Sequence, residues 1–500
     1  MADDSHGPRP TRRAFLSAGT STLAGLALAR GTKAAPVAGA LPGRRPNVLF
    51  ILPDSWRAQA LGCMGNTDVH TPHLDSLASE GILFRQTFAN TPLCCPARAN
   101  VLTGTYASRN GMVANDLRLR ESLTTMSALF SQAGYRTGFI GKWHLTGGPH
   151  LPGYTPPGPL RRGFEFWAAN EDNHNYFYNW YFRDDGLPIM MTRYEPEVWV
   201  DLADEFLYET QDAPFFLIVS IGAPHAPYVM PGEYLKMYDP ESLHVPPNWV
   251  AGVRGGGRKE MAAYYASITA IDDQIGKLMK TLEALNLKQD TIVFFFSDHG
   301  EMLGSQGRIW KRLPWEESIH VPGILRWPRQ VKSGQQKQVL LTHVDFAPTM
   351  LSLCGISVPA EMQGTDLSPV VLGRSEEGPS SAFFQIFGPC SDNALAHAWR
   401  GVRTAQHMYA RTESGPWLLY DLEKDPYEMD NLANSSRSAS IRDSMENLLK
   451  EWMRKTGDSW SLDFSYPIED KGELCTDLTF YSVDEYLRWA KANPSLRPTR

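Results

Sequence analysis

Residues 47–54 read Asn-Val-Leu-Phe-Ile-Leu-Pro-Asp. The apolar, β-rich run Asn47–Leu52 stops at Pro53-Asp54. A strand covered on both faces needs no polar alternation, so the run reads as a buried parallel strand with a carboxylate at its carboxyl end. Three more runs have the same form. Arg136–Ile140 leads into Gly-Lys-Trp-His, Pro214–Ser220 into Ile-Gly-Ala-Pro-His, and Thr291–Phe296 into Ser-Asp-His-Gly. Open α/β sheets bind ligands beyond the carboxyl ends of their strands, and here every such end carries a polar cluster. The expected fold is α/β: a large mixed, mostly parallel sheet sandwiched by helices.

Helices are expected between these runs. Ser122–Gln132 is one. Glu260–Leu285 is a stronger one, with Ile268, Ile271, Ile275, Leu278 and Leu282 on a single stripe that packs into the core. The stretch Leu372–Pro379 reads as a linker or long turn. Beyond it, strands are expected near Ser381–Phe387, Trp399–Thr404, His407–Arg411 and Trp417–Tyr420. A helix follows over about Ser440–Met453, facing Ile441, Met445, Leu448 and Trp452 inward. These form a smaller C-terminal α+β domain on a short antiparallel sheet. Phe464, Phe480, Tyr481 and Trp489 of the tail are expected to pack back on the body. The expected division sets residues 1–40 apart from an α/β domain over 41–375 and from the C-terminal domain with its tail over 376–500.

The 500 residues are 42% hydrophobic and carry a formal net charge of −7, without the clustered Lys and Arg that nucleic-acid binding needs. Six cysteines are too few for a disulfide scaffold. Cys63, Cys354, Cys390 and Cys475 fall in no motif and read as structural thiols or at most an optional disulfide. Near the start, Thr11-Arg12-Arg13-Ala14-Phe15-Leu16-Ser17 precedes the mild apolar stretch Ala18–Ala29 and a small-residue run near 35–40. This resembles a twin-arginine export signal, which implies a periplasmic or secreted protein and a passage through that export machinery in the folded state. The apolar stretch is too short for a stable membrane anchor. Residues 1–40 hold five Lys or Arg against two Asp, so the remainder stands at −10. Bulk charge therefore does not draw in polyanions.

The densest chemistry lies at 94–104, Cys-Cys-Pro-Ala-Arg-Ala-Asn-Val-Leu-Thr-Gly. A disulfide between neighbours Cys94 and Cys95 would be strained. A zinc site would want a second ligand pair at regular spacing, and none follows. Pro96 suits the first turn of a helix, Arg98 lies one turn after Cys94, and a helix start offers N–H groups to an anion. The run resembles the signature of the type I sulfatase family, whose first cysteine is oxidised to formylglycine. The resemblance extends from about Asn47 to Leu432 and includes Leu419-Tyr420-Asp421-Leu422 and Asp425-Pro426.

The resemblance implies a hydrolase acting on a sulfate monoester through a formylglycine hydrate at Cys94 and a covalent sulfo-enzyme intermediate. One divalent metal is implied, held by Asp54, Cys94, Asp298 and His299. Oxygen-dominated ligation fits Ca²⁺ or Mg²⁺, and His299 leaves Mn²⁺ or Zn²⁺ open. Ser55 stands where many members have a second aspartate. By resemblance, Arg98 orients the hydrate, Lys142 holds a sulfate oxygen and His144 assists the second hydroxyl. His225 and Lys311 serve the leaving oxygen, and Asp298 also takes the nucleophile's proton. Glu316 and Glu317 are expected to support neighbouring groups. The polar run Asn170–Tyr176 is expected at the pocket mouth, with His174 as the substrate contact, following a packed edge at Gly163–Trp167. His397 is a further, weaker candidate. The expected substrate is a small sulfated molecule or sulfated sugar, and maturation implies a formylglycine-generating system. A phosphonate monoester or phosphate diester hydrolase, and an inactive sugar-binding homologue, fit the same residues and stay open at this point.

Overall fold

Period-two alternation splits every central strand between two apolar layers. Leu49 and Ile51 of the strand Asn47–Pro53 join one core cluster, and Val48, Phe50 and Leu52 join the other. In the strand Phe215–Ile221, Phe215, Leu217 and Val219 face the first layer and Phe216 and Ile218 the second. The computed structural model describes residues 45–115, 117–147, 153–210, 212–387 and 398–460. The twin-arginine stretch, Cys390, His397, Cys475 and the tail aromatics Phe464, Phe480, Tyr481 and Trp489 lie outside the described residues.

The first layer is covered by helices Glu195–Glu209 and Arg258–Ala284, the second by Cys94–Thr103, Met126–Gln132 and His343–Leu353. Phe50 makes edge contacts with Phe216, Phe294 and Phe296 at ring separations of 5.2–5.7 Å. Truncating it to alanine is worth about 3–5 kcal/mol. The helix expected from Ser122 begins only at Met126, because the Thr125 side chain accepts the Ala128 N–H and caps it there.

The ten-stranded sheet is mixed. Its middle is five parallel strands, in the order Thr291–Phe296, Asn47–Pro53, Phe215–Ile221, Arg136–Lys142, Phe166–Asn170. Short strands, mostly antiparallel, flank them. Gly141 has φ +105°, and a Cβ there would meet the Ser220 carbonyl at 1.7 Å, so only glycine lets these two neighbours run so close just before Lys142. The stretch Gly163–Trp167 is not an edge. It leads into Phe166–Asn170, which pairs on its far side with Trp180–Phe182, itself paired with Pro188–Met190. These two short antiparallel strands extend the sheet past it.

The C-terminal sheet has the order Ser381–Ile386, Trp399–Thr404, His407–Thr412, Gly415–Asp421, antiparallel throughout. Phe383, Val402, Tyr409 and Leu419 meet the helix Ala439–Thr456. The buried stripe of that helix is Met445, Leu449 and Met453, while Ile441, Leu448 and Trp452 sit half-buried beside it. The opposite sheet face packs Phe384, Trp399, Met408 and Tyr420 against Phe88, Leu93, Leu313 and Trp315 of the α/β body. Leu93 precedes Cys94 and Leu313 follows Lys311 by two residues, so this docking braces two segments of the site.

Candidate active site

All five parallel strands end in the same polar cluster. Asp54 follows Asn47–Pro53, Asp298 and His299 follow Thr291–Phe296, and Lys142 closes Arg136–Lys142. His225 follows Phe215–Ile221, and Asp172 and His174 follow Phe166–Asn170. Cys94 enters from a different direction, as the first residue of the helix Cys94–Thr103. Its Sγ lies 3.3 Å from His299 Nε2. Arg98, one turn on, reaches Asp54 Oδ2 at 3.3 Å and Asp298 Oδ2 at 3.0 Å through one nitrogen. Its other terminal nitrogen donates to the Lys142 carbonyl and to Ser220 Oγ.

Asp54, Cys94, Asp298 and His299 each turn one ligand atom inward, all within 4.8 Å of one another, and all four residues are buried. Burial and the neighbouring Asp54 push the Asp298 carboxyl upward. Burial also opposes the charge on Asp54, but Lys142, His225, His299 and Arg98 outweigh it and hold Asp54 well below the usual range. For His299 burial favours the neutral ring, yet Asp298 and residue 94 overcome this and favour a positive charge there. His299 Nδ1 faces the Gly300 carbonyl at 3.0 Å, which leaves Nε2 turned into the cluster. Two crowded carboxylates, an imidazole nitrogen and a fourth ligand position fit a divalent cation. Ser55 does not join this ring. Its Oγ donates to Asp54 Oδ1 at 2.9 Å and its N–H to Asp298 Oδ1 at 3.1 Å, so it aims the two carboxylates instead of adding a third.

Residue 94 sits in a field that favours a negative charge. Burial and Asp54 oppose an anion there, but Lys311, Lys142 and His299 prevail and draw the thiol well below its ordinary value. Cys63 and Cys354, free thiols elsewhere, are pushed up to about 12 by burial and are inert by comparison.

Lys142 Nζ bridges Asp54 at 2.8 Å and Asp172 at 2.6 Å. Burial works against its charge, but the two carboxylates hold its pKa well above the usual value. Asp172 also meets His174 at 2.9 Å and His144 at 3.7 Å. It was the residue missed in the sequence: it falls inside the polar run Asn170–Tyr176, but only the fold shows it as the node of three cations or proton carriers. The His174 ring stacks on His225 at 4.0 Å. His225 Nδ1 faces the Ala226 carbonyl and its Nε2 faces Lys311 Nζ, both at 2.7 Å. The carbonyl requires a proton on Nδ1 and the ammonium requires a lone pair on Nε2, so the ring is neutral. Burial, His174 and Lys311 all push its pKa down. Every expected site residue among the described ones thus joins a single connected cluster. As expected, Glu316 supports its surroundings, taking Arg403 at 2.7 Å and His320 at 2.9 Å, and Glu317 accepts from Asn248.

The sulfatase family model matches residues 46–356. The chain belongs to the sulfatase family. It is a member of the type I, formylglycine-dependent sulfatases of the alkaline-phosphatase-like superfamily and a sulfuric ester hydrolase. A second model, the C-terminal region of N-sulphoglucosamine sulphohydrolase, matches residues 304–455. An ulvan-active sulfatase of Formosa agariphila is 36% identical over 423 residues, covering 83% of this chain and 82% of that protein. An N-acetylglucosamine-6-O-sulfatase of Bacteroides thetaiotaomicron is 26% identical over 504 residues, 83% of this chain and 88% of its own. A solved structure in complex with D-glucosamine-2-N,6-O-disulfate superposes with a TM-score of 0.76 at 25% identity, covering 83% of this sulfatase and 99% of that chain. Among the described residues no helix of this sulfatase is long and apolar enough to cross a membrane.

Proposed function

We propose that this sulfatase removes sulfate from a sulfated sugar, with Cys94 matured to formylglycine and Ca²⁺ as the resident ion. The observation that carries the reading is the buried ring of Asp54, Cys94, Asp298 and His299, capped by Arg98 and Lys142. The sugar assignment is supported by the hydrogen-bonding wall of Asp172 and His174 beside that ring, and by the sugar-directed activities named for its relatives.

Asp54, Asp298, His299 and the residue 94 hydrate would hold the cation, which supplies charge to polarise the sulfate and to acidify the attacking hydroxyl. One hydroxyl of the hydrate loses its proton to Asp298 and its oxygen attacks sulfur. The bond from sulfur to the sugar oxygen breaks, and that oxygen receives a proton from the Lys311–His225 pair. Because His225 rests neutral with its Nε2 lone pair toward Lys311, the ammonium is the proton's first station. The second hydroxyl then gives its proton to His144, the carbonyl of residue 94 forms, and the C–O bond to sulfate breaks. Water adds back to the aldehyde. Splitting the reaction this way avoids a second attack at sulfur, which a plain serine or cysteine would require. Arg98 and Lys142 are fixed by buried partners before substrate arrives, so little reorganisation is needed as charge develops.

Maturation by a formylglycine-generating system in the cytoplasm, followed by twin-arginine export, accounts for an aldehyde that ends up buried at 94. The test of the substrate reading is a parallel panel on one preparation: sulfated monosaccharides, an aryl sulfate, a phosphate diester and a phosphonate monoester. Sulfate release from a sugar is expected to lead. Faster cleavage of the phosphonate, with no sulfate released from any sugar, would contradict it. Chelation followed by reconstitution with Ca²⁺, Mg²⁺, Mn²⁺ or Zn²⁺ identifies the ion.

A further inference from the structure

His225 stands on a turn that another loop holds from below. Its N–H closes the turn onto the Gly222 carbonyl at 3.3 Å. The Tyr176 hydroxyl donates its one proton to the His225 carbonyl at 2.7 Å, with the Gly222 carbonyl at the other end of the turn 3.2 Å away. Tyr176 is 1% exposed. It belongs to the same loop as His174, whose ring stacks on His225. One loop therefore fixes the backbone of His225 with a phenol and its ring with an imidazole. The loop is itself shaped by Asn175, whose side-chain oxygen accepts the N–H groups of Phe177 and Tyr178.

Glu195 supports this arrangement from the next helix. Its N–H donates to the Tyr176 carbonyl at 2.8 Å. Its carboxyl is fully buried and faces the backbone N–H groups of Gly222 and Ala223 and the Trp199 indole, without a well-aligned hydrogen bond to any of them. A Cβ on Gly222 would lie 3.0 Å and 3.1 Å from the two carboxyl oxygens and 3.2 Å from the Tyr176 ring. The three residues interlock beneath the turn, with no space for a side chain between them. A buried carboxyl with so little hydrogen bonding is costly, and nothing in the ion-binding ring requires it.

We propose that Tyr176, backed by Glu195, is a positioning residue for departure of the alcohol: it sets the height and tilt of His225 against Lys311, and so the protonation of the leaving oxygen. This rests on the assignment of His225 and Lys311 to that oxygen. Among the described residues neither Tyr176 nor Glu195 makes a hydrogen bond or ion pair with Cys94, Asp54, Asp298 or His299; the ring reaches them only through the charges of Asp54, which acts on Tyr176, and of neighbouring Lys142, which acts on Glu195. Their removal therefore weakens the half of the reaction that needs an acid and spares the half that does not. An imidazole displaced by an ångström is enough for a large kinetic loss.

The experiment compares the wild type, Tyr176→Phe, Glu195→Gln and His225→Ala, each as the full mature enzyme, on two leaving groups. Nitrophenyl sulfate releases an acidic phenol that departs without a proton. An alkyl or sugar sulfate releases an alcohol that needs one. For Tyr176→Phe, kcat on the alkyl or sugar sulfate is expected to fall by about tenfold to 100-fold, while nitrophenyl sulfate turnover stays within about threefold. Glu195→Gln should show the same selectivity at smaller amplitude, and it carries the test if the phenylalanine variant does not fold. Adding Tyr176→Phe to His225→Ala should cost almost nothing more. Equal losses on both substrates, or no loss on either, overturn the positioning role. If His225→Ala itself shows no leaving-group dependence, the assignment of His225 fails as well, so the two failures are told apart.

Discussion

At the amino ends of the parallel strands, Arg136 pairs with Glu165 at 2.9 Å, with about half of each side chain exposed, and Arg329 pairs with Asp290 on the surface. At the carboxyl ends, Asp54, Lys142, Asp298 and His299 are almost wholly buried. The sheet thus carries exposed pairs beside its amino ends and a dry cluster at its carboxyl ends. Exposed pairs contribute about 0–1 kcal/mol. Each ion at the buried end costs several kcal/mol to desolvate, at the order-of-magnitude level. Stability does not account for gathering so many charges there. The buried end is organised around what it binds, and there burial and the neighbouring Asp54 push the Asp298 carboxyl upward. A third cluster, where the C-terminal sheet docks, lies between these extremes. There Arg403 and His320 pair with Glu316, so its counter-charges come from the protein itself.

Changes at the buried end should be the most severe. Cys94→Ala is expected to lower aryl sulfatase activity by at least about 10³-fold while leaving the thermal midpoint near that of the wild type. A steady-state assay beside a melting curve reads both. A variant that keeps substantial turnover breaks the comparison at its root. Chelation should abolish activity and lower stability by about 2.7 kcal/mol if the ion is normally present at 100 times its Kd. Asp298→Asn should remove most of that response to chelator, as followed by differential scanning fluorimetry.

The docking cluster should respond in stability instead of chemistry. Arg403→Ala leaves Glu316 buried near Glu317 and Glu428 without its main counter-charge, an expected loss of about 3–5 kcal/mol with turnover retained by the folded fraction. Burial favours a protonated Glu316, but Arg403 and His320 hold it down to about 2 from the ordinary 4.5. A depressed carboxylate stabilises the fold fully above its unfolded value and loses that contribution as pH falls through the folded one. The gap between wild type and Arg403→Ala should therefore be widest above pH 4.5 and narrow toward pH 2. Denaturant titrations across that window test it, and a gap that widens on acidification would contradict the assignment. Smallest of all, Arg136→Ala at the amino ends should cost under about 1 kcal/mol and leave kcat unchanged. A clear kinetic defect there would show that the two ends are not as separate as their exposure implies.

The sheet was legible because its central strands are buried on both sides: runs such as Asn47–Leu52 and Thr291–Phe296 are apolar without interruption and each stops at a polar cluster. Asp54, Asp298 and His299 were visible as polar residues at those strand ends, but grouping them with Cys94, which starts a helix, came from the family resemblance. Ends and edges were less visible. The helix start at Met126 depends on one threonine cap, and the strands Trp180–Phe182 and Pro188–Met190 are too short to signal themselves. Asp172 and Tyr176 were hidden for a further reason. Both lie in a loop of polar residues that look interchangeable in the chain, and their partners Lys142 and Gly222 are 30 and 46 residues away. Such roles arise from tertiary approach, not from local pattern.

The central claim is that residue 94 works as an aldehyde hydrate inside the ring formed at the strand ends. The most direct measurement is mass spectrometry of the Cys94 peptide from enzyme made in a host able to generate formylglycine, with specific activity determined on the same samples. The account predicts a peptide lighter by one sulfur and two hydrogens and heavier by one oxygen, with activity proportional to its fraction across preparations. Full activity in protein whose residue 94 is entirely unmodified cysteine would contradict it.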